Sequence, residues 1–316
     1  MQGRRGDGEP ESLQDLVSLT TSRDNLRGIV TMLCAVSLLS LMDAGLKQLS
    51  AHYPPLQVCA LRSLASWPLV TIWVASTTGV RALLRVRWGL HLLRGAIGIT
   101  TLSLFVYGIR YLPLSTSYTL FFVAPLIITA LSALILREPV RPARWIIIVI
   151  GFAGVLIALR PTGQGVFTWA GIAILAGALG YAVSAITVRV LGRTDSTQSM
   201  VFWVLTLMGF GGLALAAPDW VRVSGDDWML VGAVGVVGGL GQVALTDAFR
   251  RAQASVIAPI EYTALAWSIN FDAWVWHMLP DAMTWVGAAV IVASGAYLIR
   301  HERAAQSEAA PAQVQP

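Results

Sequence analysis

Five charged side chains, Asp43, Arg62, Arg94, Glu261 and Asp272, stand within runs of Leu, Val, Ile, Ala and Gly. A charge at the centre of a lipid-embedded helix costs about 2.5–3.5 kcal/mol, so each must be paired, reach water or be used. Glu261 is the sharpest case. It lies about 9 Å past the start of an apolar run at residue 255, counting 1.5 Å per helical residue, too deep for its short side chain to reach water easily. Glu261, Leu265, Ser268 and Asp272 recur at i, i+4, i+7 and i+11, so they share one face of a helix and stripe it with polar groups. A carboxylate in that place either exchanges a proton or meets a substrate amine; the structural alternative is an ion pair with Arg94 at similar depth. Asp43 and Arg62 form a second candidate pair with a gating or structural role. Asp43 also stands four residues before Lys47, which offers a simpler local partner.

Uncharged residues add to this set. Tyr107, Tyr118, Phe121, Tyr181, Tyr262, Trp203 and Trp267 suit the wall of a cavity for an amphipathic or aromatic solute, or plain packing. Pro125 and Pro259 remove backbone donors inside apolar runs, which breaks helices beside a site. The chemistry of an enzyme is missing. The chain has no GxxxxGK[ST], no HExxH and no GxSxG, and His52, His91, His277 and His301 are scattered. Cys34 and Cys59 lie in apolar runs and provide neither a disulfide framework nor a metal site. No catalytic residue, cofactor or metal is expected.

The elements that position these residues follow from composition. Of 316 residues, 56% are hydrophobic and 12% charged, with a mean hydropathy of +0.67. A soluble chain carries about 25% charged residues. A soluble enzyme, a disordered chain and a secreted disulfide scaffold are excluded. Apolar spans fall near 28–47, 56–78, 88–109, 113–136, 145–159, 167–188, 198–217, 228–249, 255–277 and 283–299. Each must be helical, because an unpaired backbone group in hydrocarbon costs several kcal/mol. The net charge of +5 reads as topology rather than nucleic-acid binding. With both termini cytoplasmic, inside segments hold sixteen basic residues, among them Arg81, Arg85, Arg137, Arg141, Arg144, Arg189 and Arg193. Outside segments hold four, Lys47, Arg110, Arg160 and Arg222, which fixes the orientation. The polar first 26 residues lack an apolar core, so a cleaved signal peptide is not expected.

The chain also aligns with itself at a shift of 140 residues. Trp88 meets Trp228, Gly95 meets Gly235, Arg110 meets Arg250, Trp145 meets Trp285 and Arg160 meets Arg300. Each unit of five helices is odd in number, so the second must insert upside down, as in secondary transporters with a site near the midplane. The expected fold is an all-α integral membrane protein of ten transmembrane helices in two inverted five-helix repeats. Its parts are an N-terminal tail (1–27), a first repeat (28–160), a second repeat (161–300) and a C-terminal tail (301–316).

These units, with "LHLLRGAIGITTLSLFVYGIRYLPLSTSYTLFFVAPLIITALSALILREPV" in the first and "DAFRRAQASVIAPIEYTALAW" in the second, resemble the EamA-type transporters of the drug/metabolite transporter superfamily over roughly residues 28–300. Where such proteins often carry a Gly-Glu-Pro-like turn after helix nine, this chain has Trp276 to Asp281, WHMLPD. The resemblance implies a secondary transporter of a small organic metabolite, such as an amino acid or an S-adenosylmethionine- or riboflavin-like compound. It also implies a central site lined by helices one, three, four, six, eight and nine. The partners expected are a small-molecule substrate, the lipid bilayer of the inner membrane and a coupling proton, and not nucleic acid. The rival readings are a membrane scaffold or assembly protein, and an intramembrane enzyme.

Overall fold

The computed structural model describes residues 13–77, 83–84, 86–135, 168–192, 194–251 and 260–309, with helical fragments at 146, 149–150, 153–154 and 156–157. Among these residues the chain is helix and connection, with no strand. The helices are α1 (Leu13–Ser50), α2 (Pro55–Thr77), α3 (Trp88–Tyr111), α4 (Leu114–Phe121), α5 (Ala124–Ile135) and α6 (Trp169–Leu191). Then come α7 (Thr197–Thr206), a π-helical turn (Leu207–Gly211), α8 (Gly212–Ala216) and a 3-10 turn (Ala217–Asp219). The last three are α9 (Asp227–Arg251), α10 (Thr263–Val275) and α11 (Ala282–Ala309).

Among the described residues, six stretches are long and apolar enough to cross a bilayer: Gly28–Ser50, Pro55–Thr77, Trp88–Tyr111, Trp169–Val188, Thr197–Asp219 and Asp227–Leu245. Leu114–Ile128 and Ala282–Ser294 are shorter apolar helices. The protein is an integral membrane protein. Most of the expected span 145–159, the start of the expected span nine and Pro259 lie outside the described residues. At the ends helix runs past the expected spans: α1 starts at Leu13, and α11 continues to Ala309 through a segment rich in Ala, Glu and Arg, good helix formers in water.

Among the described residues, three spans are not regular. The fourth breaks at Phe122–Val123 between α4 and α5, because Pro125 has no N–H for the carbonyl of Phe121. The chain recovers with shorter bonds, Val123 N–H to Leu120 O at 3.3 Å and Leu126 N–H to Val123 O at 3.0 Å. In the second half a turn at Tyr262 separates helical residues 260–261 from α10. Phe122 and Tyr262 are 140 residues apart, so the two interruptions sit at equivalent places. The seventh span carries the π turn, packed over glycines of α3. A Cβ on Gly95 would stand 2.6 Å from Leu207 Cβ, so the close approach needs a residue without one.

Helices of the two halves interleave. α1 packs along α9 and α3 along α6; α2 meets α9, α7 and the π turn; α4 meets α10 and α6, and α1 also meets α10. Numbered by expected span, the main contacts between the halves are 1–8 with 3–6, 2–8 with 3–7, 1–9 with 4–6, and the self-paired 2–7 and 4–9. Exchanging spans one to five with six to ten maps this set onto itself. The α2–α9 seam is close, and a Cβ on Gly235 would overlap Ala65 Cβ and lie 2.6 Å from its carbonyl carbon.

Candidate functional site

The last turn of α4 places Tyr118, Phe121 and Phe122 on one face, at i, i+3 and i+4. They nucleate a chain of rings between the halves. Tyr181 of α6 meets Phe121 at 5.4 Å between centroids, and Phe121 meets Phe105 of α3 at 5.4 Å. Phe105 meets Tyr118 at 6.2 Å, Tyr118 meets Phe122 at 5.9 Å, and Phe122 meets Tyr262 at 5.1 Å. All lie within the 4.5–7 Å range in which tilted and edge-to-face pairs attract. Glu261 lies near both end rings, Tyr181 and Tyr262, and acts on them electrostatically. It has no ion pair or hydrogen bond with the described residues. Tyr181 keeps 36% of its surface open. The chain of rings thus runs from half-buried Tyr181 through the buried core to Tyr262, with a carboxylate near both of its ends.

Tyr118 also belongs to a polar cluster. Its hydroxyl donates to Asp43 Oδ2 at 2.5 Å. Arg62 lies within electrostatic reach of Asp43, without a salt bridge at 4.0 Å or less, and its Nε donates to Met42 Sδ at 3.2 Å. The hydroxyls of Ser40, Ser63, Ser103 and Ser117 are buried, that of Ser40 next to the Tyr118 hydroxyl and those of Ser63 and Ser103 next to the Cys59 thiol, itself close to Arg62.

Asp272 does something else. It is fully buried at the end of α10 and accepts from Leu114 N at 2.9 Å, Ser115 N at 2.7 Å and Ser115 Oγ at 2.7 Å. A carboxylate here satisfies the first N–H groups of α4 and meets the positive end of its dipole. Lys47 of α1 lies 3.4 Å from the same carboxylate, donates to Leu112 O at 2.9 Å and covers the Trp276 ring at 4.6 Å. This clamp ties α1, α4 and α10 together near their connections. Asp272 is thus a structural capping group with all its acceptor capacity engaged, and not a free polar face as its spacing from Glu261 implies. Lys47 is not the partner of Asp43.

Other expected residues sit elsewhere. Arg94 donates to Met200 O at 2.8 Å and forms no ion pair with Glu261. Ser268 is buried and turns its hydroxyl back to Leu265 O at 2.8 Å. Trp267, 38% exposed, stacks on Phe271, and Tyr107 packs on Tyr111, which is 61% exposed. Neither joins the chain of rings. Trp203 donates to Leu83 O at 3.0 Å and packs on Trp88. One tie was missed from sequence: His91 Nε2 lies 2.8 Å from Asp195 Oδ2, an acid that also accepts from Arg87 N at 3.2 Å. His91 stands near the start of α3, where a lone histidine reads as interfacial, and no local spacing connects it to residue 195. Pro125 immediately follows the break that orients the α4 rings.

Comparison with known proteins agrees with this architecture. A riboflavin transporter of Vibrio cholerae is 31% identical over 281 residues, 88% of this chain and 94% of that protein. A pseudopaline exporter of Pseudomonas aeruginosa is 28% identical, covering 87% of this chain and 97% of its own. An S-adenosylmethionine uptake transporter of Rickettsia prowazekii is 26% identical, covering 89% and 95%. A solved crystal structure shares the fold with a TM-score of 0.62 at 20% identity, over 91% of this chain and 99% of that one. The model of the EamA-like transporter family matches twice, over residues 26–160 and 168–300, and the chain belongs to that family.

Proposed function

We infer that the protein is a secondary transporter that moves a small organic metabolite with a planar conjugated ring, of the riboflavin kind, by alternating access. The observation that carries this reading is the chain of six rings between the halves with Glu261 near its two ends. Stacking on several π faces holds a flat solute, and an acceptor at the rim takes its N–H groups. Relatives named for riboflavin and S-adenosylmethionine support it, since both compounds join a flat heteroaromatic system to a polar chain.

The architecture in this reading is ten helices in two inverted repeats, 28–160 and 161–300, with both tails in the cytoplasm. The contact set that survives exchange of the halves and the sixteen-to-four basic asymmetry support it. Substrate and coupling roles fall to Glu261, Tyr262, Tyr118, Phe121 and Tyr181. In this orientation the Lys47–Asp272 clamp lies on the outer side. A proton on Glu261 couples transport.

The test is riboflavin flux in proteoliposomes with and without an imposed proton gradient, for wild type and Glu261→Gln. Coupling predicts a variant that inserts normally, loses gradient-driven accumulation and keeps exchange. Unchanged accumulation between pH 5 and 8 removes Glu261 from the mechanism. The orientation is checked separately: a cysteine in 219–227, and not one in 81–87, should react with an impermeant reagent from outside.

A further inference from the structure

Two sets of hydrogen bonds tie helices of one half to helices of the other. In the first, the α1–α2 connection and the start of α2 grip the start of α9 and the segment before it. Tyr53 Oη donates to Asp227 Oδ2 at 2.6 Å and accepts from Ser224 N at 3.0 Å. Gln57 donates through Nε2 to Val221 O at 2.6 Å and accepts through Oε1 from Val221 N at 2.9 Å. In the second, the α6–α7 connection and the start of α7 grip the start of α3 and the segment before it. His91 Nε2 and Arg87 N meet Asp195 Oδ2 at 2.8 and 3.2 Å. Arg94 Nη1 donates to Met200 O at 2.8 Å, and Trp203 Nε1 donates to Leu83 O at 3.0 Å.

Exchanging the halves turns one set into the other. Each time, the connection before the second span of one half binds the start of the third span of the other half. The elements correspond and the residues do not: Tyr, Gln and Asp serve in one set, His, Asp, Arg and Trp in the other. The same tie rebuilt from different chemistry points to a mechanical need at that place. Helix α2 leads from the first set to the segment that holds Leu83, so the two sets lie at opposite ends of the bundle. α2 and α9 run parallel from the first, and α3 and α7 run parallel from the second.

Parting either set is costly, and parting the helices elsewhere is not. Gln57, His91 and Tyr53 are 0%, 1% and 3% exposed, so separation would strand buried donors and acceptors. Beyond the ties the seams are smooth. Gly235 and Gly239 face Ala65 and Ser66, and Gly95 and Gly98 face Leu207 and Met208. Small faces let helices tilt on one another without unlocking interdigitated side chains. At the far ends of α2 and α3, side chains turn to their own helix: Ser76 and Thr77 donate to Trp73 O, and Arg110 lies over Tyr111.

We propose that the two sets are pivots that stay closed throughout the transport cycle, α2 and α9 swinging about the first and α3 and α7 about the second. Each pair then parts at its far end, and the two far ends lie at opposite ends of the bundle. This rests on the alternating-access part of the functional reading and not on the choice of substrate.

The experiment measures spin-label distances in the full-length chain in nanodiscs, on a Cys34→Ser/Cys59→Ser background, at pH 5 and 8, with and without riboflavin. Ala51→Cys/Asp226→Cys and Leu84→Cys/Gly192→Cys report beside the pivots. Thr77→Cys/Arg251→Cys and Tyr111→Cys/Ala217→Cys report at the far ends. A swing of about 10° moves the far end of the 23-residue α2 by about 6 Å. The far-end distances should shift by that order, one pair closing as the other opens, while both pivot distances keep one narrow peak. A pivot distance that shifts as far as its far end makes that set a gate and overturns the proposal. Four distances fixed in every condition overturn it too. Riboflavin uptake by proteoliposomes adds a functional arm: a bifunctional thiosulfonate joining positions 51 and 226 should leave uptake intact, and one joining 77 and 251 should stop it. Uptake lost on joining 51 to 226 refutes the pivot. A wild type that takes up no riboflavin removes the flavin reading, and the distances then decide the pivots alone.

Discussion

Replacing Asp272 with Asn should weaken the protein by about 3–5 kcal/mol, the cost of breaking a buried ion pair from one side. The carboxylate serves three donors of α4 at 2.7–2.9 Å and Lys47 at 3.4 Å. An amide presents one oxygen and an NH2 group, and the NH2 cannot accept from a backbone N–H. At least one α4 donor is left buried and unpaired, worth about 1–3 kcal/mol. Lys47, 7% exposed, then keeps only Leu112 O and the Trp276 ring against its charge. The two losses share one network, so they overlap rather than add. Thermal unfolding of the purified protein, followed by circular dichroism, measures the effect. The double variant Lys47→Met/Asp272→Asn should be less destabilised than Asp272→Asn alone, because it removes the uncompensated cation. A single variant that melts with wild type, or a double variant worse than the sum of both singles, would refute the clamp.

The tie at Asp195 gives a pH prediction. Burial alone would raise this carboxyl, but hydrogen bonds from Thr194, His91 and the Arg87 N–H outweigh it and hold it below its ordinary 3.8. A depressed carboxyl stabilises the fold fully above its unfolded value and loses that contribution as pH falls through the folded one. Melting temperature should therefore drop below about pH 4 in wild type more steeply than in Asp195→Asn. Gly235→Ala should cost about 1–3 kcal/mol by driving a methyl into the Ala65 backbone, whereas Gly232→Ala, with nothing within 4 Å, should be neutral or gain up to about 1 kcal/mol. Parallel thermal melts separate the two. His277→Gly should stabilise by roughly 1 kcal/mol, because His277 holds a left-handed φ of 55°.

Hydropathy made the apolar helices legible, since a bilayer leaves the backbone few alternatives. The repeat was legible in Trp and Arg coincidences. The pairing of charges was not. At i, i+4, Asp43 and Lys47 are local neighbours, yet Asp43 takes Tyr118, 75 residues away, and Lys47 takes Asp272, 225 residues away. Matching depths did not pair Arg94 with Glu261, because depth says nothing about which way round its helix a side chain points. Trp267 and Tyr107 miss the chain of rings for the same reason. The stripe from Glu261 to Asp272 assumed one unbroken helix, and the turn at Tyr262 interrupts it. A 3.6-residue period likewise cannot register the π turn at Leu207–Gly211.

Helix α4 is only eight residues long, about 12 Å as a rod. One end is gripped by Asp272 and Lys47, and the other carries Tyr118 and Phe121 and ends beside the break at Phe122. A rod held at both ends and cut free of its continuation transmits load. Any force that releases the grip tilts the aromatic end, and any occupant that fixes the aromatic end changes how firmly the grip holds. By thermodynamic reciprocity the two effects have equal size in binding free energy. A mutation at the α3–α4 connection is therefore expected to alter affinity at the proposed ring site, by the same factor with which a bound ligand resists release of the grip.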